Sequence, residues 1–87
     1  MEKLYIDVTR VGCNATTTIY FRGEMYIIPK TWNFSMMARY IKEAFFDAYK
    51  CEIYVDSHGL GIGLFDDLKG LGVDVNKMKV RTIRLAQ

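Results

Sequence analysis

Two short stretches of the chain carry one pattern. Leu4–Asp7 reads LYID and Ile53–Asp56 reads IYVD, so each sets a carboxylate after three apolar or aromatic residues, and the two match in residue class position by position. On parallel, adjacent strands in register, Asp7 and Asp56 stand side by side at about 4.8 Å, the spacing of neighbouring strands. Ionised carboxylates that close repel unless a proton or a cation lies between them. A divalent ion such as Mg²⁺, bound by both carboxylates and completed by water and phosphate oxygens, is the natural solution. Two such ions about 3.5–4 Å apart support phosphodiester hydrolysis. A lone aspartate at a strand end ordinarily faces water. The repetition makes Asp7 and Asp56 candidate catalytic and metal-binding residues.

The residues after Asp56 raise a second question. Gly59, Gly61 and Gly63 follow a strand pattern and precede a helix pattern, as in a dinucleotide fingerprint. The spacing is G-x-G-x-G, however, and the strand is the fourth rather than the first of a β-α-β unit. Asp56 and the Asp66-Asp67 pair would also repel a pyrophosphate, so no nucleotide cofactor is expected. Glycines beside a carboxylate instead allow close approach of a nucleic-acid backbone or a metal, which marks Gly59 and Gly61. His58, the single histidine, is more often incidental than catalytic, and Ser57 lacks a base partner for a hydrolytic triad. Lys77, Lys79, Arg81 and Arg84 all follow the last acidic residue, Asp74. A basic terminus is a weak nucleic-acid signal, competing with a solvated strand face, and it makes Lys77, Lys79 and Arg81 candidate phosphate contacts.

The elements that position these residues follow from periodicity. Leu4–Val11, the β-branched and aromatic Thr16–Phe21, and Met25–Ile28 read as strands joined by short turns, hence an antiparallel meander. Gly23 supplies the permissive backbone of the second turn. Asn33 can cap a helix. Behind it Phe34, Met37, Ala38, Ile41, Phe45 and Ala48 form a core stripe at helical spacing. Cys51–Val55 is a fourth strand, able to pair in parallel with an earlier one. Leu64–Leu71 is a short helix closed by glycines, and Val75–Leu85 alternates as a half-buried final strand. The order β-β-β-α-β-α-β predicts an α/β mixed sheet in a single domain, residues 1–87.

Composition sets bounds on this reading. Twelve Lys and Arg against ten Asp and Glu give a net charge of +2, too small to imply a partner alone. The N-terminus MEKLYIDV lacks the long apolar core of a secretory signal, and no run approaches ~20 apolar residues, so no membrane contact is expected. The sequons Asn14-Ala15-Thr16 and Asn33-Phe34-Ser35 then carry no glycan. Cys13 and Cys51 make neither a metal site nor a disulfide framework. On parallel neighbouring strands they would lie at opposite ends of the sheet, beyond bridging distance. A reduced, cytoplasmic location is expected.

Together YIDVTRVGCNATTTIYFRGEMY, a helix, and IYVDSHGLGIGLFDDLKGLGVDV resemble the nuclease domain of the phage terminase large subunit, a member of the ribonuclease H-like superfamily. The similarity covers about Tyr5 to Lys79. It rests on Asp7, Arg10, Gly12 and Thr16–Thr18, then on Asp56, Gly59, Gly61, Gly63, Asp66, Leu68 and Gly72, the second motif being the more specific. The resemblance implies a ribonuclease H-like sheet with the first strand beside the fourth. It implies Asp7 and Asp56 as ligands for Mg²⁺ or Mn²⁺, double-stranded DNA as substrate and, if the module is active, DNA endonuclease chemistry. Arg10 joins the candidate nucleic-acid contacts. If the chain is viral, its location is the host cytoplasm.

The departures bear on catalysis. Cys13 and Asn14 stand where family members carry acidic residues, no acid follows Asp74 to supply a third catalytic carboxylate, and no Gly-x-x-x-x-Gly-Lys-Ser/Thr motor motif occurs. The expectation is a terminase-type nuclease domain cut off before its final catalytic element. Two alternatives stay open. One is a small viral module that binds a phage or host protein, as inhibitor of a defence or nuclease factor or as packaging regulator, with Met25, Tyr26, Trp32, Met36 and Tyr40 as anchors. The other is a homo-oligomer formed through an exposed sheet edge.

Overall fold

A computed structural model of the protein describes residues 2–11, 14–29, 31–56 and 61–78. Gly12 and Cys13, Ser57, His58 and Gly59, and Lys79, Arg81 and the rest of the expected final strand lie outside the described residues. The described elements are β1 (Lys3–Val11), β2 (Asn14–Phe21), β3 (Glu24–Ile28), α1 (Phe34–Ile41), a π-helical stretch (Lys42–Phe46), α2 (Asp47–Tyr49), β4 (Glu52–Asp56), α3 (Gly61–Gly70) and β5 (Val75–Met78). They form an α/β structure around a five-stranded mixed sheet in the order β3-β2-β1-β4-β5. β1, β2 and β3 make the expected antiparallel meander, while β4 pairs in parallel with both β1 and β5.

The sheet is packed on one face only, among the described residues. Leu4, Ile6, Val8, Ile19, Phe21, Ile28, Ile53, Val55 and Val75 are buried together with Met37, Ala38, Ile41, Phe45, Leu64, Phe65 and Leu68 of the helices. The strand members of that set sit at alternate positions, which places them on one side of the pleat. Where Thr17 enters this face, its hydroxyl donates to Met37 Sδ at 3.4 Å.

Local chemistry sets the element ends. The Asn33 side chain accepts from Met36 N–H at 2.8 Å, capping α1. α3 closes in a Schellman motif: Gly72 adopts φ +82°, its N–H donates to Lys69 O, and Val73 N–H donates to Leu68 O. The β2–β3 turn needs positive φ at both Arg22 (54°) and Gly23 (77°), as a two-residue hairpin of the primed type does. Arginine is a poor occupant of that region. Its guanidinium is held by a forked ion pair to Glu2, with one bond of 2.7 Å, and lies 4.4 Å from the Tyr49 ring centroid. The same bond holds the Glu2 carboxyl below its usual range.

Two expectations about the helices are corrected. Ala48 was expected in the core stripe, yet it is exposed. The π-helical stretch inserts an extra residue per turn, so the stripe loses phase after Phe45 and no residue of α2 is buried, although the exposed Tyr49 ring still lies 5.2 Å from Phe21. Lys42 and Asp47, five residues apart, meet across the same stretch at 2.8 Å. The second helix begins at Gly61, not Leu64, so Gly61 and Gly63 are its first turn rather than a loop. The one-sided core makes a direct prediction. Ile6→Ala, at a fully buried site, lowers unfolding free energy by about 2–5 kcal/mol, whereas Ile27→Ala, 64% exposed on the other face, changes it by less than about 0.5 kcal/mol; urea denaturation of both variants checks the contrast.

Candidate functional site

β1 and β4 are paired with Leu4 opposite Ile53, Tyr5 opposite Tyr54 and Ile6 opposite Val55. The two four-residue stretches are therefore aligned in space without offset, and the next step along both strands sets Asp7 beside Asp56, roughly 4.8 Å away. Asp7 also stands opposite Thr18 of β2, and Asp56 opposite Met78 of β5.

Alternation puts both aspartates on the face away from the helices, and their burial is unusual there. Asp7 is 5% exposed and Asp56 2%. All other strand residues of that face whose burial is described, Tyr5, Thr18, Tyr20 and Tyr54 among them, are half-buried or exposed. Asp56 is the last residue of β4, while β1 runs on to Val11 beside β2. The sheet order also reverses here: from β1 the chain moves outward to β2 and β3, and from β4 outward to β5. Such a junction, at the carboxyl end of a parallel strand, is where open α/β sheets leave room for a ligand.

The donor set suits a hard cation, being two buried carboxylates on neighbouring strands. Among the described residues no group of three or more His, Cys, Asp or Glu side chains gathers, so water and phosphate oxygens would complete the coordination. Asp7 and Asp56 are the residues that would hold Mg²⁺ or Mn²⁺.

The other candidates are placed differently. Gly61 is not open to a ligand. A Cβ there would lie 1.8 Å from the carbonyl oxygen of Asp56, so the missing side chain lets α3 start directly against the end of β4. A Cβ on Gly63 would meet the Phe34 ring at 2.8 Å, which makes Gly63 the contact between α3 and α1. Lys77 pairs with Val55 and shares the helix-side face; its ammonium lies 4.9 Å from the Phe65 ring centroid, with Lys69 at 5.4 Å from the same ring. It is thus on the opposite face from the carboxylates. Arg10 belongs to the far part of β1, opposite Ala15. Cys51 is a free, buried thiol whose pKa burial pushes up, which fits a packing role.

One feature of this face escaped sequence reasoning. Tyr20, Tyr5 and Tyr54 occupy one row across β2, β1 and β4. Tyr5 and Tyr54 stack with ring centroids 5.6 Å apart and planes 26° apart. The signal was present in LYID and IYVD, whose tyrosines match as closely as their aspartates. The Tyr54 hydroxyl donates to Glu52 at 2.7 Å, which raises its pKa.

No protein-family model matches the chain, and no curated protein matches it. No helix among the described residues is long and apolar enough to cross a membrane.

The two glycines of α3 separate by their surroundings. Gly61→Ala forces a backbone carbonyl aside, a cost of about 1–3 kcal/mol, and moves Asp56 with it. Gly63→Ala displaces only a ring edge and gains about 1 kcal/mol of helix propensity, so its net effect stays within about 1 kcal/mol. Denaturation curves for the two variants, with amide shifts at Asp56, test the difference.

Proposed function

We propose that the protein is a ribonuclease H-like module that binds a divalent cation through Asp7 and Asp56 and presents it to a nucleic-acid phosphodiester. Within that class we read it as a nuclease-like module of the phage terminase type, acting on DNA. The carrying observation is the pairing of β1 with β4 up to Ile6 and Val55, each followed by a buried aspartate on a face whose other described strand residues are half-buried or exposed. The sheet order, with β1 between β2 and β4, agrees with the arrangement that the sequence resemblance implies.

The chain's own contribution is positional. Pairing of β1 with β4 fixes the separation of the two carboxylates, and α3 clamps the end of β4 through Gly61. Asp7 and Asp56 would hold a divalent ion there, which would supply polarisation of a phosphoryl oxygen and a more acidic water. Arg10, Gly59, Lys79 and Arg81 remain candidate DNA contacts.

Mn²⁺ titration tests this reading directly. Paramagnetic broadening is expected first at the amides around Asp7 and Asp56, and Asp7→Asn or Asp56→Asn should weaken Mn²⁺ binding at least about tenfold while the fold is retained. In a plasmid-nicking assay with Mn²⁺, any cleavage should fall with the same two substitutions. Uniform broadening, or binding and nicking indifferent to both, would overturn the reading.

A second reading is favoured by the edge strand. Met25 (60% exposed) and Ile27 (64% exposed) project from β3, as expected of a module that binds a phage or host protein. That reading predicts a complex lost on Ile27→Asp and unchanged by Asp56→Asn.

A further inference from the structure

The row of tyrosines on the face away from the described helices lies outside the buried core. Tyr5 is opposite Tyr20 on one side and Tyr54 on the other, while Met25 and Asn76 extend the row to its ends. All three tyrosines are half-buried, so each packs against its neighbours while leaving part of its ring to solvent. A cavity of about 410 Å³ opens at the Tyr5–Tyr20 end of the row, next to the β2–β3 hairpin, with Lys3, Met25, Arg22 and Glu24 also in its lining. That volume is within the range of small-ligand clefts, ~300–1,000 Å³.

Resting on the reading of Asp7 and Asp56 as a DNA-directed metal site, we infer that Tyr20, Tyr5 and Tyr54 form a stacking platform for the unpaired bases of single-stranded DNA. The substrate class is thereby narrowed from the duplex that the resemblance implies to a single strand or a locally opened duplex. Each tyrosine of β1 and β4 lies two residues before an aspartate on the same face, about 6.6 Å along the strand. A base stacked on Tyr5 or Tyr54 therefore carries its own phosphate toward the carboxylate pair.

Stacking separates this occupant from a duplex. Lys3, whose ammonium lies 5.8 Å from the Tyr54 ring centroid, is a cation beside the row, able to reach a phosphate. Base–aromatic stacking tolerates any base sequence and demands that the bases be unpaired, whereas in a duplex the base faces are covered by their neighbours.

Fluorescence anisotropy of the whole chain with a labelled 15-nucleotide oligo-dT, in EDTA, tests the proposal. Single strand should bind at least about tenfold more tightly than a duplex of the same length. Tyr5→Ala and Tyr20→Ala should each weaken binding about tenfold or more, and Tyr5→Phe, which keeps the ring and the pairing of the strands, should leave it within about threefold. Circular dichroism of each variant confirms that the sheet persists. Equal binding of duplex, no single-strand binding, or full binding by folded Tyr5→Ala would each overturn it. A separate Mn²⁺ titration of the unaltered chain keeps the two readings apart: single-strand binding without Mn²⁺ binding counts against the metal site alone, and Mn²⁺ binding without single-strand binding counts against the platform alone.

Discussion

The parallel register between β1 and β4 is the constraint on which the rest depends. Side chains alternate with period two along a strand, so a slip of one residue would turn the inward set of one strand to solvent. Leu4, Ile6, Ile53 and Val55 are all completely buried, and burying four such side chains contributes about 6–12 kcal/mol. Core packing thus fixes Asp7 and Asp56 as neighbours, one residue beyond the paired Ile6 and Val55.

The helix layer braces that register from the face opposite the two aspartates. α3 approaches β4 so closely that only glycine fits at position 61, and it rests on α1 through the space left by Gly63. α1 turns through the π-helical stretch, which sets Phe45 among Phe21, Tyr26 and Tyr40 and brings Tyr49 under Arg22. The arginine that closes the β2–β3 hairpin in a left-handed conformation is thereby held from two sides, by an aromatic face and by Glu2. All these contacts lie on the helix side or at the hairpin, leaving the other face for Tyr5, Tyr54, Asp7 and Asp56.

Where local chemistry and tertiary packing agree, the sequence was readable. The strands, their antiparallel meander, the Asn33 cap and the adjacency of Asp7 and Asp56 all follow from period-two alternation, turn residues and the repeated four-residue pattern. The start of α3 was not readable, because glycine is a poor helix former and its use at 61 and 63 is dictated by atoms of Asp56 and Phe34, distant in sequence or hidden in the fold. Ala48 misled for a related reason. A regular 3.6-residue period contains no sign of the inserted π turn, so the stripe loses phase after Phe45. Lys77 read as a phosphate contact from its basic neighbours, but its partner across the sheet, Val55, decides its face.

The repeated pattern itself carries more than a pair of ligands. In apolar–Tyr–apolar–Asp, positions one and three face the core and positions two and four face away from it. Each copy is a strand with a packing side and a chemical side. Setting two copies in register makes a two-by-two grid, with stacked tyrosines in one row and carboxylates in the next. The same register energy that seats Leu4 against Ile53 and Ile6 against Val55 fixes the grid, so neither row can shift without the other. Under the function proposed above, aromatic faces one strand-repeat from a pair of carboxylates would match a substrate with that same alternation of flat ring and phosphate.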